Sequence, residues 1–526
     1  MNDHVQSGNG RNLDNAEWRA AIEDALDRPD SEPMFNLRDD GEGVYDTIFI
    51  GGGAAGRFGS AYLRAMGGRP LVIDRWPFLG GSCPHQACVP HHLFSEAAAL
   101  LDRSRWFSGE LFFPEFDESK ASILALVELF RRGRGSAHAF MNWQTQSQLE
   151  VEFVLNAAAE VIDRNTVRAA GRTFHTEGLV IGLGAYQKPL TCPGADLAGV
   201  LDWATLIEEL DYEPESCVIV GGGKVAVEYG SFFQSTGCQT TIVSRSPLLR
   251  TGSLHHVDED IRRYLLDGMR LRGMTVLEGS GLVAIEGVDG RARRVRICDA
   301  DGRERVLECD LVFNATGERP NSDEVVRTLG LQTGPNGEIL VDARMQTNVE
   351  GVYAVGDVIG PPMEMFKARK CGMTAARNIA GDPFEFDFSE YPDFLHSTYE
   401  VTWVGLSEDE AREQFDDVTV IQMPPKGIEH EIPLPCAEGT MLYAFTRPEL
   451  TGLLKCVIDG SSRRVLGFHH IGYGAKDAFQ YLDYLLRRPE GLTIDELGEM
   501  NELFLNPEHF IQLSRLRAGR RELVDL

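Results

Sequence analysis

The feature that most constrains this chain is a strand that runs straight into a glycine turn. Tyr45-Asp46-Thr47-Ile48-Phe49-Ile50 is an apolar strand segment, and Gly51-Gly52-Gly53-Ala54-Ala55-Gly56 follows it without a break. Gly51 permits the tight turn, Gly53 lets the backbone approach a pyrophosphate, and Gly56 lets helix and strand pack closely. The anion then rests on the N-terminus of the helix. Asp74 ends the next strand, Leu71-Val72-Ile73-Asp74, where a carboxylate meets a ribose hydroxyl. A glycine triplet alone is weak. With strand, helix and acid in register it predicts a dinucleotide-binding βαβ unit, and so an α/β fold.

A second unit follows the same rules. Ser216-Cys217-Val218-Ile219-Val220 leads into Gly221-Gly222-Gly223-Lys224-Val225-Ala226, a GxGxxA turn in which Gly221, Gly223 and Ala226 take the three fingerprint places. The next strand ends in Ser244-Arg245-Ser246, with Arg250 nearby and no carboxylate where a 2′-hydroxyl is held. Ser244, Arg245 and Arg250 suit a 2′-phosphate, so NADPH is expected rather than NADH. Gly223-Lys224 is not a P-loop, because Val225 stands in place of the Ser or Thr.

Between the two units lies Gly80-Gly81-Ser82-Cys83-Pro84-His85-Gln86-Ala87-Cys88-Val89-Pro90-His91-His92. Cys83 and Cys88 can meet if the first lies in a loop and the second in an opening helical turn. Exposed N–H groups and the helix dipole there lower a thiol pKa and make a nucleophile. A redox pair directly after a nucleotide unit is the reading this position favours.

These residues resemble the active-site disulfide of the FAD-dependent pyridine nucleotide-disulfide oxidoreductases, such as glutathione reductase and lipoamide dehydrogenase. The family motif usually ends Cys-x-Pro-Ser-Lys, whereas His91 and His92 stand here. The form Cys-Pro-His-x-Ala-Cys-Val-Pro-His-His is similar to the carboxylating branch of that family, the 2-oxopropyl-coenzyme M reductase/carboxylases. The resemblance implies FAD on the first unit, Cys88 against the flavin, and Asp357 of Gly356-Asp357 on the ribityl chain. It also implies a dimerisation domain whose last segment reaches into the partner's active site, giving a homodimer with shared sites. Arg57 and Arg369 stand where the family usually has an uncharged, and a neutral or acidic, residue; they are expected to clamp an anionic substrate.

The family's C-terminal His-x-His-Pro-Thr acid is missing. Aligned on Pro507 the histidine becomes Asn506; matched on the His…Glu spacing, the pair becomes Phe504 and His509. Either register removes the usual proton donor, and a missing donor protects a carbanion. The implied reaction is cleavage of the thioether of 2-oxopropyl-coenzyme M by the reduced Cys83–Cys88 pair. The enolate so formed is carboxylated by CO2. His509, or His85 and His92, are the candidates to stabilise the enolate oxygen. An NADPH-dependent disulfide or mercuric reductase with an altered acid is the alternative.

The fold class expected is α/β, with two Rossmann-type domains and a C-terminal α+β dimerisation domain. The boundaries are 1–44 (extension without inferable chemistry), 45–205 (FAD and disulfide), 206–325 (NADPH), 326–388 (return to FAD) and 389–526 (dimerisation). A formal charge of −29 over 526 residues argues against nucleic acid or an anionic membrane as partner. The start lacks an apolar run after basic residues, so it is not a signal peptide, and no stretch is long and apolar enough to span a membrane. Scattered cysteines with one motif pair suit a cytoplasmic location. His255, His256, His469 and His470 lack metal-ligand spacing, so no metal is expected.

Overall fold

The computed structural model describes residues 6–7, 13–27, 32–111, 113–251, 257–388, 391–398, 400–424, 426, 441–475, 482–497 and 499. Phe504, Asn506 and His509 lie outside the described residues, as do His255 and His256.

Helix α1 (Asn15–Asp27) and strand β1 (Met34–Leu37) precede the first nucleotide unit. That unit comprises β2 (Val44–Ile50), α2 (Ala54–Ala65) and β3 (Pro70–Ile73). The dithiol segment forms α3 (Ser82–His85) and the start of α4 (Cys88–Trp106), and a long helix α5 (Ile123–Ser147) follows. β4 (Glu152–Leu155) and β5 (Arg172–Ile181) complete the first sheet. Its parallel centre runs β4, β3, β2, β5, and β1 adds antiparallel to the outer edge of β4. Residues 15–27 and 34–37 thus pack with this sheet. Trp18 and Ile22 of α1 are fully buried in the same core as Phe49, Val72 and Phe153.

A short helix α6 (Trp203–Glu209) leads to the second unit, β6 (Ser216–Val220), α7 (Lys224–Ser235) and β7 (Gln239–Ser244). Helix α8 (Glu259–Leu271), β8 (Thr275–Glu278) and β9 (Leu311–Asn314) extend it into a parallel sheet of five strands, with Val200–Leu201 at its edge. The chain then returns to the first sheet, where β10 (Val352–Ala354) pairs parallel to β5, and enters α9 (Met365–Ile379). An antiparallel five-stranded sheet begins with β11 (Asp393–His396) and forms the third domain. The expected α/β architecture with two Rossmann-type sheets is what the chain adopts.

The two glycine turns explain why these sheets start where they do. Gly51 has φ +103°, and a Cβ on it would sit 2.2 Å from the Gly182 carbonyl oxygen. At Gly221 φ is +145°, and a Cβ there would meet the Ala315 carbonyl oxygen at 2.1 Å. Only glycine fits either place. Neither α2 nor α7 has a side-chain cap, so the first N–H groups of each helix are left for a ligand.

Candidate active site

The dithiol loop is laid directly on the first fingerprint. Gly80 N–H donates to the Gly52 carbonyl at 2.8 Å, and Gly53 and Gly80 form a parallel bridge. Asp74 braces the turn from the other side, accepting the Gly52 N–H at 2.5 Å and the Trp76 N–H at 2.8 Å. Burial pushes its carboxyl above the ordinary range. Asp357 lies in a 3-10 turn that leads towards α9, and burial raises its carboxyl too while Lys367 opposes. The cradle fits a dinucleotide: a Cβ on Gly56 would come within 1.9 Å of the Gly51 carbonyl oxygen, so the helix starts hard against the turn and its uncapped N–H groups lie where a pyrophosphate would be held.

Cys83 lies on α3 and Cys88 opens α4, and both are free thiols. The division of labour between them is electrostatic. Cys83 is lowered, first by a hydrogen bond from Cys88, then by the Cys88 backbone N–H and by Arg369, against burial. Cys88 is raised, first by that same bond, then by burial and by Glu364. The N–H at the start of α4 favours a thiolate on either sulfur, and Arg369 acting on Cys83 and Glu364 acting on Cys88 tip the charge to Cys83. Met365 Sδ lies 3.5 Å from Cys83 Sγ.

Arg57 stands one turn into α2 and is 9% exposed. Its Nε donates to Thr145 Oγ1 at 2.9 Å and its Nη2 to Gln144 Oε1 at 2.6 Å, both on α5. Neither partner is charged, and burial alone lowers the guanidinium's pKa. Arg369, one turn along α9 from Met365, and Arg57 lie 5.5 and 6.0 Å from the ring of Phe58. Among the described residues neither guanidinium is paired with a carboxylate. Both cations thus flank Phe58 without a counter-charge, and Arg369 is the one whose field reaches Cys83.

His85 and His92, expected to act together, are separated. His85 packs in a ring cluster with Trp76, Phe78 and His138, at 5.1, 4.7 and 5.2 Å between centroids. His92 is exposed and turns to His396 at 4.6 Å, because successive helical residues point about 100° apart. The second histidine of the pocket is His138 of α5, fully buried and stacked on Phe78 at 3.8 Å. Its sequence signal is a polar stripe, His138-Asn142-Thr145, on an otherwise apolar helix face. Asn142 fixes the adjoining loop through Leu79 N–H and the Pro77 carbonyl.

Nδ1 of His85 and both ring nitrogens of His138 are buried without a hydrogen-bond partner. Burial, helped by Arg134 and at His138 first by His85, depresses both histidines to about 3, and the Pro84 backbone opposes at His138. Both are neutral at physiological pH. Their folded pKa values lie below the unfolded value of about 6.5, so the unfolded chain binds more protons below that pH. Stability is complete above pH 6.5 and falls as the pH drops towards 3, by about 1.4 kcal/mol per pH unit for each histidine. His138→Phe is expected to flatten this slope by one such increment, read from urea midpoints between pH 6.5 and 4. An unaltered slope would mean that His138 titrates normally.

The second unit places its sequence-expected residues differently. Gly221, Gly223 and Ala226 form the turn and the start of α7 as read. Ser244 turns its hydroxyl inward to the Ser246 carbonyl at 2.7 Å. Arg250 is held by the Val257 carbonyl and by Glu259 at 3.0 Å, so it is not free for a phosphate. Arg245 is exposed and stands beyond the end of β7, the one of the three available to a 2′-phosphate.

A charged network that no sequence motif marks joins α7 to the neighbouring elements. Lys224, the first residue of α7, binds Glu364 at the N-cap of α9 and Asp393 of β11. Glu228, one turn further, lies 3.0 Å from His91 of α4 and accepts the His396 N–H. The helix of the second nucleotide unit thus meets the dithiol helix through side chains rather than backbone.

Fold and site together define a two-nucleotide flavoprotein with a reactive thiol pair. Residues 45–372 match the pyridine nucleotide-disulphide oxidoreductase family and residues 391–508 its dimerisation domain, and the chain belongs to that family. Its members use FAD and NAD(P)H, and this chain is an FAD-dependent enzyme of that class. Among curated relatives it is similar to a mercuric reductase of Lysinibacillus sphaericus, 25% identical over 510 residues, covering 96% of this chain and 87% of the relative. It is also similar to the mitochondrial dihydrolipoyl dehydrogenase of Sus scrofa, 27% identical over 450 residues and 82% of each chain. The fold matches the Cu(II) complex of the HOCl-induced flavoprotein disulfide reductase RclA of Escherichia coli, with a TM-score of 0.72 and 20% identity over 88% of this chain and 98% of the other. No group of three or more His, Cys, Asp or Glu able to hold a metal occurs among the described residues, and no described helix is long and apolar enough to cross a membrane.

Proposed function

We propose that the enzyme uses NADPH to reduce the Cys83–Cys88 pair and cleaves the thioether of a small anionic ketone conjugate, 2-oxopropyl-coenzyme M, carboxylating the carbanion released. FAD held by the Gly51–Gly56 turn and Asp357 would supply the two-electron relay from NADPH to the disulfide. The Cys83 thiolate attacks the thioether sulfur, the carbon–sulfur bond breaks, and a mixed disulfide and an enolate form. The enolate adds CO2 to give acetoacetate. Cys88 then displaces the thiol carrier and restores the disulfide. Arg57 and Arg369 hold the sulfonate.

The observation that carries this reading is the uncharged pair His85–His138 beside the dithiol loop. Neutral imidazole N–H groups can hydrogen-bond an enolate oxygen, but at neutral pH they are poor donors of a full proton. Phe504 and His509 keep their proposed roles, the first as the replacement for the family acid. Arg245 favours NADPH. The family's dimerisation domain supports a homodimer.

A second reading, an NADPH-dependent disulfide or mercuric reductase, is favoured by the curated relatives, whose names are mercuric reductase and dihydrolipoyl dehydrogenase. One experiment separates the two. Purified holoenzyme is given NADPH, 13C-bicarbonate and 2-oxopropyl-coenzyme M, and in parallel mercuric ion or lipoamide. Labelled acetoacetate as the main product is expected. Rapid NADPH oxidation by mercuric ion or lipoamide, with neither ketone product, would establish the second reading.

A further inference from the structure

The outer wall of the histidine pocket is an ion pair with no place yet in the chemistry. Arg134 of α5 grips Glu208 of α6 through both guanidinium nitrogens, the second contact at 3.0 Å. Glu208 Oε1 lies 3.5 Å from His85 Nε2. One turn earlier on α5, Arg131 donates to the Ile207 and Leu210 carbonyls at 2.6 and 2.9 Å, which ties the end of α6 to α5. Glu208 is therefore held in place. Its side chain is 41% exposed, that of Arg134 14% and that of His85 7%. The series runs from solvent to pocket in one step.

We propose that Arg134 and Glu208 form a latch that closes the His85–His138 pocket to solvent protons, and that they are positioning residues which set whether the carbanion is carboxylated or protonated. This rests on the reading given under Proposed function. The groups that face His85 are Trp76 and Phe78 from the loop before α3, His138 and Arg134 from α5, and Glu208 from α6. Of these, only Glu208 favours a proton on His85. A lone carboxylate at that distance would favour a proton on His85 against its burial. Arg134 pairs with that carboxylate, and its own charge disfavours protonation of both histidines. With the latch intact the pocket offers the carbanion N–H groups but no acid.

The test uses holoenzyme carrying 13Cε1-labelled histidine, with the His85 resonance assigned by its loss in His85→Gln. In wild type this resonance is expected to stay that of neutral imidazole down to about pH 5. In Arg134→Gln it is expected to titrate at least about one pH unit higher. The same variant should raise the acetone-to-acetoacetate ratio at pH 6.5 by about ten-fold. Arg134→Lys and the double variant Arg134→Gln/Glu208→Gln should return both measures towards wild type. A His85 that titrates near 6.5 in wild type, or a shifted titration with an unchanged product ratio, would overturn the proposal. If wild type makes neither ketone product the carboxylase reading has failed, and with it the product role of the latch; the resonance series still shows whether the ion pair controls His85.

Discussion

Cys83→Ser is expected to lower steady-state turnover by about 10^4-fold or more, while NADPH still bleaches the flavin at close to the wild-type rate. The two halves of that result come from separate parts of the chain. Hydride delivery depends on the two nucleotide turns and on α7, which a change of the Cys83 sulfur to oxygen leaves in place. The substrate half depends on a single sulfur whose thiolate is stabilised by the Cys88 thiol, the Cys88 N–H and Arg369. Serine keeps the shape but not the acidity, since a hydroxyl in that place stays protonated. Cys88→Ser should differ in kind. It leaves Cys83 as nucleophile but removes the thiol that expels the carrier, so one substrate per site is cleaved and a mixed disulfide remains, visible by mass spectrometry. Equal behaviour of the two variants in a single turnover would contradict the division of roles read from their opposite pKa shifts.

Much of this site is legible in the sequence because its constraints are local. A left-handed turn at Gly51, a close approach at Gly56 and a helix start at Gly53 are each set by residues within a few positions, so the fingerprint announces them. Arg57 and Arg369 are readable for a similar reason: each sits at a fixed step from a recognisable turn. What sequence could not show are side chains chosen by distant partners. His138 enters the pocket because Phe78 offers it a face and Asn142 pins the loop 63 residues away. His91, not His92, faces Glu228 because one residue on a helix is a large rotation, and nothing local says which way α7 lies. Arg250 has the right chemistry for a phosphate, yet Glu259 at the start of α8 has captured it. The leading segment showed a possible helix near Trp18. That this helix buries Trp18 and donates its indole N–H to Gln146 of α5, at 3.2 Å, depends on a surface built more than a hundred residues later.

Lys224 is the other residue whose loss should be felt most. Replacing it with methionine is expected to cost about 3–5 kcal/mol, because buried Asp393 and half-buried Glu364 then face each other without a cation. Its ammonium binds Glu364 and, at 2.5 Å, Asp393, and lies 4.9 Å from the ring centre of Phe394. Glu364 is already raised, chiefly by burial, and Lys224 is the first of the groups that hold it down. Without the lysine its folded pKa rises further above the unfolded value of about 4.5. A carboxyl raised in this way contributes stability that is present below about pH 4.5 and is lost as the pH rises through the folded value. The gap between Lys224→Met and wild type should therefore widen from pH 5 to pH 8, and adding Glu364→Gln should narrow it. The redox centre should respond as well, since Glu364 is among the charges that keep Cys88 protonated. Once Glu364 takes up a proton, Cys88 becomes more acidic, and the pH dependence of thiol alkylation should shift downward for that cysteine. A gap that stays constant with pH would mean that the carboxylates find another cation, and that α7 does not reach the dithiol through this network.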